Sequence, residues 1–188
     1  MEYEIEKYGV CEGAIEFRRK FNSFEEFWES CHRGDWMLEI SYKVGVDKRK
    51  FMLAKALCAK TVIHLMKDES SIKAFDIAER YGNCLATDEE FKKAAAAAAA
   101  QKAAAAEAAQ KAASAAYSRY ADYSTASNYA VSADCSDFAY YAVYDTFDDS
   151  DYAAAYYAAA AADDRTKNQL ETANICREIL TIEILKNI

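Results

Sequence analysis

The sequence predicts an all-α fold, and three features of its 188 residues lead to that prediction. Proline is absent, and all five glycines lie at or before residue 82, so later turns must form without the usual turn residues. Alanine, the strongest helix former, fills long runs from residue 94 onward. We therefore expect one domain over 1–188, a compact multi-helix bundle with short capped helices over 1–86 and long Ala-rich packed helices over 87–188.

The first elements are short. Residues 2–8 alternate between glutamate and other side chains, which fits either a short strand or an irregular arm. A capping box that begins at Ser23 predicts a helix, and we expect Gly34 to end it. Asp35 is then expected to cap a second short helix, which Gly45 stops.

Longer helices are expected to follow. Asp47 begins an amphipathic segment, and another spans 70–81. A second capping box begins at Thr87, and the Ala-rich helix behind it meets no breaker before about Tyr120. A uniform Ala surface lets a neighbouring helix approach closely. The remaining helices are expected at about 132–146, 151–162 and 165–187.

Charge excludes several classes of partner. The net charge is −8, and the stretch from Tyr120 to Asp164 holds nine aspartates and no lysine or arginine. Such a surface repels phosphate backbones, which argues against direct DNA or RNA binding and favours a basic protein partner. No apolar run has the ~20 residues that span a bilayer. The acidic N-terminus lacks the pattern of a signal peptide, so we expect a cytoplasmic protein without membrane contact.

Motifs of catalysis and metal binding are missing. The six cysteines are widely spaced without a CxxC pair, which favours packed, reduced thiols over disulfides. His32 and His64 lack metal-ligand spacing. The run over 148–151 resembles the start of a calcium loop but lacks its later glycine and glutamate. An active site would require Cys58 or a pair of aspartates to lie beside a histidine, and no motif in the sequence brings these residues together. We therefore expect that the protein is not an enzyme and binds no cofactor or metal.

Tyrosine supplies a candidate recognition surface. Ten of the fourteen tyrosines lie between Tyr117 and Tyr157, interspersed with aspartate and serine. Tyrosine gives a large, rigid contact area at low entropic cost, although its rings also fill gaps between Ala-rich helices. The candidate partner- or ligand-binding residues are Tyr117, Arg119, Tyr120, Asp137, Tyr140, Tyr141, Tyr144 and Asp145.

Four motifs carry a family resemblance. They are SCHRGDWML over 30–38, DKRKFMLAKALCA over 47–59, AFDIAERYGNCLATDEE over 74–90 and NICREIL over 174–180. Together they resemble the immunity-protein-five-like all-helical domain family of bacteria and phages. His32 and Glu39 depart from the family pattern, which often has proline and an apolar residue there. The resemblance implies a non-enzymatic neutralising role and transfers no catalytic residue.

Two functional hypotheses follow. The first is a non-enzymatic protein that neutralises a protein partner, as an immunity or phage counter-defence inhibitor. The alternative is a protein that sequesters a nucleotide-like signal, with tyrosines stacking on the base. Arg119 or the basic segment with Lys48, Arg49 and Lys55 would then meet the phosphate. Ala-rich interfaces are also compatible with a homodimer, which the periodicity does not fix.

Overall fold

A computed structural model describes residues 5–65, 69–98, 100 and 164–187, and it confirms the all-α prediction. Within these ranges helices are joined by short connections and no strand is present. Two 3-10 helices occupy Ile5–Tyr8 and Ile63–Leu65. The α-helices are α1 (Glu12–Arg18), α2 (Phe24–Ser30), α3 (Gly34–Val44), α4 (Lys48–Lys60), α5 (Glu69–Gly82), α6 (88–98) and α7 (Arg165–Asn187).

The predicted caps at Ser23 and Thr87 are confirmed, and a helix begins after Asp47 as expected. The Ser23 hydroxyl accepts the backbone N–H of Glu26 at 3.1 Å, and the Asp47 carboxylate caps α4 in the same way at 3.0 Å. Thr87 and Glu90 form a reciprocal box, in which each side chain accepts the other's backbone N–H. The Thr87 backbone N–H, and next its hydroxyl, donate to the Glu90 carboxylate and lower the pKa of that carboxyl. Local sequence therefore determines where α2, α4 and α6 begin.

Three expectations about the first elements are wrong. Residues 5–8 form a 3-10 helix instead of a strand or an irregular arm. Gly34 does not end α2, which stops at Ser30, but is the first residue of α3. Asp35 consequently lies inside α3, whose N-cap is Arg33 without a capping side chain. The reason is tertiary, since Gly34 lies against α7 and its place in α3 permits that contact.

Gly45 ends α3, as the sequence predicts. Helix α1, in contrast, was not predicted from the sequence. Gly45 follows Val44 in the left-handed conformation with φ +82°, which glycine adopts without a steric penalty. Helix α1 has Cys11 as its N-cap without a side-chain hydrogen bond, so it lacks a capping signal in the sequence. Its Ala14 is buried, and packing rather than capping explains this helix.

The C-terminal helix completes the core of the first half. Helix α7 packs against α3 and α4, and α4 packs against α5. A methyl group on Gly34 would lie 2.4 Å from Thr172 Oγ1, so only glycine permits this α3–α7 approach. Stacked rings of Tyr81 and Phe91, 4.3 Å apart, connect α5 to α6. The largest fully buried apolar side chains include Trp28, Phe24, Phe27, Phe75, Phe91, Met37, Leu38, Ile40, Leu180 and Ile184.

Part of the sequence prediction lies outside the described residues. This holds for the Ala-rich helix beyond residue 100 and for the helices expected at 132–146 and 151–162. The last predicted helix, 165–187, is confirmed as α7. Among the described helices, none combines the length and apolar character that crossing a membrane requires.

Candidate functional site

The Tyr- and Asp-rich binding site predicted from sequence lies outside the described residues. This applies to all eight of its members, which are Tyr117, Arg119, Tyr120, Asp137, Tyr140, Tyr141, Tyr144 and Asp145. They stay predictions. The described residues, however, bring together a second group of side chains suited to binding.

An aromatic face lies where α1, the α2–α3 connection and the first turn of α3 meet. We define it by the rings of Phe17, Phe21, His32 and Trp36. The Phe17 ring is central, with centroids 5.1 Å from Phe21, 5.3 Å from His32 and 5.9 Å from Trp36. His32 is exposed, while the other three rings are half-buried. These residues present an aromatic surface with edge-on and tilted packing, the geometries that ring quadrupoles favour.

The fold beneath fixes these rings. Fully buried Phe27 lies 6.1 Å from Phe17 and 6.2 Å from Phe21, ring centroid to ring centroid. Trp36 lies against Gly13 of α1, where an added methyl group would approach its indole to 3.0 Å. The rings are therefore supported from below by the core and from the side by α1.

Cations border the aromatic face. The Lys20 ammonium lies 5.4 Å from the centroid of Phe17, and the Arg33 guanidinium lies 4.6 Å from that of Trp36. Arg18 donates from Nη1 to the Phe21 carbonyl at 2.8 Å, while its Nε is buried and has no hydrogen-bond partner. Three positive side chains thus surround the four rings.

The Arg33-Gly34-Asp35 tripeptide makes its contacts within the protein. Arg33 forms two parallel hydrogen bonds to the buried Asp35 carboxylate, at 2.8 and 2.5 Å. Hydrogen bonding to Asp35 raises the pKa of the Arg33 guanidinium, so this side chain stays charged. Because Asp35 is buried and Gly34 contacts α7, the tripeptide is not presented as a free recognition loop.

Several cysteine thiols lie in the interior of the described fold. Cys58 and Cys176 are fully buried, with their sulfur atoms 4.0 Å apart between α4 and α7. Burial raises the pKa of Cys31 to about 12 and that of Cys176 well above its ordinary 9.0. Burial, and next the hydrogen bond with Glu39, raises the pKa of Cys11 to about 11. Since the thiolate is the nucleophile, these thiols are unsuited to covalent catalysis at neutral pH.

The histidines do not complete a metal or nucleophile site in the described part of the chain. His32 belongs to the aromatic face, and His64 is exposed in the second 3-10 helix. Within residues 5–65, 69–98, 100 and 164–187, no three His, Cys, Asp or Glu side chains gather closely enough to hold a metal ion.

Two cations in the basic segment of α4 make contacts within the protein that the sequence does not indicate. Arg49 donates to the backbone carbonyls of Tyr81 and Ala86, at 2.8 and 3.3 Å, and pairs with Asp88 at 3.1 Å. Lys55 is only 1% exposed. Lys55 therefore lies in the core and Arg49 is engaged by backbone carbonyls, while the alternative in which the segment with Lys48, Arg49 and Lys55 meets a phosphate stays a prediction.

Sequence reasoning missed the aromatic face, although a signal for it exists. Phe17 and Phe21 flank three consecutive basic residues in the sequence. Helix α1 ends at Arg18, so Phe21 lies in the turn that follows, and helical spacing does not account for the contact of the two rings. That Trp36 joins these rings depends on how α3 packs against α1.

Comparison with models of known protein families, with curated proteins and with solved structures found no match to this chain. The resemblance to immunity-protein-like domains therefore depends on its four motifs alone.

Proposed function

We propose that this chain is a non-enzymatic binding protein that neutralises a protein partner by occupying it, as an immunity or phage counter-defence inhibitor. The observation that carries the proposal is the aromatic face. Its rings of Phe17, Phe21 and Trp36 are half-exposed and are held against a buried helical core. Rigid aromatic side chains are typical anchors of protein interfaces, because they bury much area and lose little conformational entropy.

The chemistry of the interior supports binding over catalysis. Burial keeps Cys31 and Cys176 protonated at neutral pH, and Cys58 lies in the same interior. The Tyr- and Asp-rich stretch of the sequence adds a second region with the composition of a recognition surface. Aromatic anchors and protonated thiols together suit a protein that acts by contact.

The test begins with capture of a partner. The tagged full-length chain is used as bait in an extract of its native host, and bound proteins and small molecules are both identified by mass spectrometry. A Tyr141→Ala/Tyr144→Ala double variant tests the Tyr-rich region, with Lys92→Ala on α6 as an exposed control. A Phe21→Ala variant tests the aromatic face in the same way. We expect both variants to lose the partner while their circular dichroism stays unchanged.

The purified partner then separates inhibition from catalysis. We expect the partner's own activity to fall in proportion to added chain and to reach its minimum at a fixed stoichiometry. Substoichiometric amounts that chemically alter the partner would show an enzyme. Thermal stabilisation by cyclic nucleotides, without any protein partner, would instead support the sequestering alternative and overturn our proposal.

A further inference from the structure

Two cations beside the aromatic face lack an opposite charge among the described residues. Arg19 is paired with Glu6 at 2.8 Å, and Arg33 is paired with Asp35. For Arg18 and Lys20 the described contacts are the Phe21 carbonyl and the Phe17 ring, and neither is an anion. In a chain with net charge −8, the end of α1 is therefore a local positive site.

The two cations and the rings form one continuous surface. Lys20 is exposed, and its ammonium lies within cation–π distance of Phe17, the central ring of the aromatic face. Arg18 is half-buried and donates to the carbonyl of Phe21, the ring at one side of that face, while its partnerless Nε is buried and is not open to an occupant. An occupant would meet unpaired positive charge and half-exposed aromatic area together.

The charge balance selects the class of occupant. Two unpaired cations match one or two carboxylates, whereas a nucleic acid presents a long row of phosphates to a chain of net charge −8. A vesicle surface would likewise require several basic residues to offset that negative charge. A short acidic peptide segment that also carries an aromatic side chain satisfies the cations and covers the rings.

We propose that Lys20, Arg18 and the aromatic face bind an acidic, aromatic-containing segment of a partner protein. This inference rests on the proposed function as a binding protein and adds the chemistry that its partner presents. The Tyr- and Asp-rich stretch predicted from sequence suits a cationic surface, so the two regions would recognise opposite charges.

Synthetic peptides test the inference without the natural partner. A short fluorescein-labelled peptide of alternating Asp and Phe is titrated with the full chain, and binding is followed by fluorescence anisotropy. Matched peptides carry Lys for Asp, or Ser for Phe. We expect the Asp/Phe peptide to bind at least about ten-fold more tightly than either, with an affinity that falls as salt rises.

Variants locate the site. Lys20→Glu should weaken Asp/Phe binding about ten-fold or more, because it reverses a charge at the rim of the face. Lys92→Glu, the same reversal at an exposed lysine of α6, is the matched control and should leave binding unchanged. In a Trp28→Phe background, Trp36 is the remaining tryptophan of the chain, so its emission should change on binding.

Several outcomes would overturn the inference. These are equal binding of the Lys/Phe peptide, unchanged binding by Lys20→Glu, equal loss in Lys92→Glu, or tighter binding of a single-stranded oligonucleotide or an anionic vesicle. A change of oligomeric state in Lys20→Glu would assign the face to a second copy of the chain instead. If the peptides fail while the host experiment still yields a stoichiometrically inhibited partner, only the assigned chemistry is wrong.

Discussion

The aromatic face differs from the seam where α3 and α4 meet α7. At the seam, Gly34 lies against Thr172 and the sulfur atoms of Cys58 and Cys176 are 4.0 Å apart. The aromatic face instead consists of large rings that remain half-exposed. The seam uses small side chains to bring backbones together, while the face leaves apolar area available for contact. The residues that pack the core of this chain are therefore separate from those suited to recognition.

The largest contrast expected is in cysteine reactivity. Cys31 and Cys176 should react with iodoacetamide at least about 100-fold more slowly than exposed Cys84, because burial raises the pKa of both thiols and keeps the reagent away from their sulfur atoms. Peptide mass spectrometry after timed alkylation measures each rate. Unfolding in urea should remove the contrast, and equal rates in the folded protein would contradict the buried seam.

The raised pKa values of Cys11 and Cys31 make stability depend on alkaline pH. Cys11 and Cys31 have folded-state pKa values of about 11 and 12, above the ordinary 9.0, so the folded state keeps these protons when the unfolded state loses them. Their stabilising contribution is complete below about pH 9 and is lost as pH rises toward about 12. Urea unfolding at increasing pH should show this fall. A Cys31→Ala variant should show less of it.

Truncation of an aromatic side chain should destabilise the protein more in the core than in the aromatic face. Trp28 is 1% exposed and donates from Nε1 to Thr181 at 3.0 Å, so Trp28→Ala should lower the free energy of unfolding by about 3–5 kcal/mol. Phe21→Ala removes a half-buried ring and should cost about 1–2 kcal/mol. Chemical denaturation measures both. A larger cost for Phe21→Ala would make the aromatic face part of the core.

Glycine substitution tests how tightly the seam is packed. Gly34→Ala places a methyl group 2.4 Å from Thr172 Oγ1 and 2.7 Å from the Thr172 carbonyl carbon, and it should cost about 1–3 kcal/mol. Gly9→Ala is the control, because its methyl group would meet no atom within 4 Å but its φ of +67° is strained. That strain should cost about 1 kcal/mol. Equal melting temperatures for Gly34→Ala and wild type would contradict the close approach.

Loss of a cap should have the smallest effect. Ser23→Ala removes the acceptor for the Glu26 N–H and should destabilise the protein by about 1 kcal/mol. Ser30→Ala, at the exposed last residue of α2, is the matched control and should change stability little. Thermal unfolding of both variants measures the difference. An equal effect at both serines would show that the cap contributes nothing.

Sequence reasoning succeeded where the relevant physics is local. The caps at Ser23, Asp47 and Thr87 were predictable because each side chain bonds an amide three residues away. Gly45 was predictable because a left-handed residue ends a helix. Sequence reasoning failed at Gly34, whose role depends on a helix that begins more than a hundred residues later.

The candidate site shows the same limit. The sequence shows that Phe17 and Phe21 are four residues apart. The contact of the Phe17 ring with Trp36, however, requires α3 to pack against α1. The sequence places Lys55 among the basic residues of an amphipathic helix, yet its side chain is almost completely buried in the folded protein. Contacts between distant segments determine which cations and rings remain available for binding.

Local sequence is enough to make the described residues helical and to place the start of several helices, because propensity and capping act within a few residues. Tertiary structure alone decided that Gly34 starts a helix, that the Cys58 and Cys176 thiols face each other, and that an aromatic face stands beside Lys20. The physical reason is burial. Which surfaces lose water depends on the packing of helices far apart in the chain, and that loss of water sets the pKa values, the stability and the surface left for a partner.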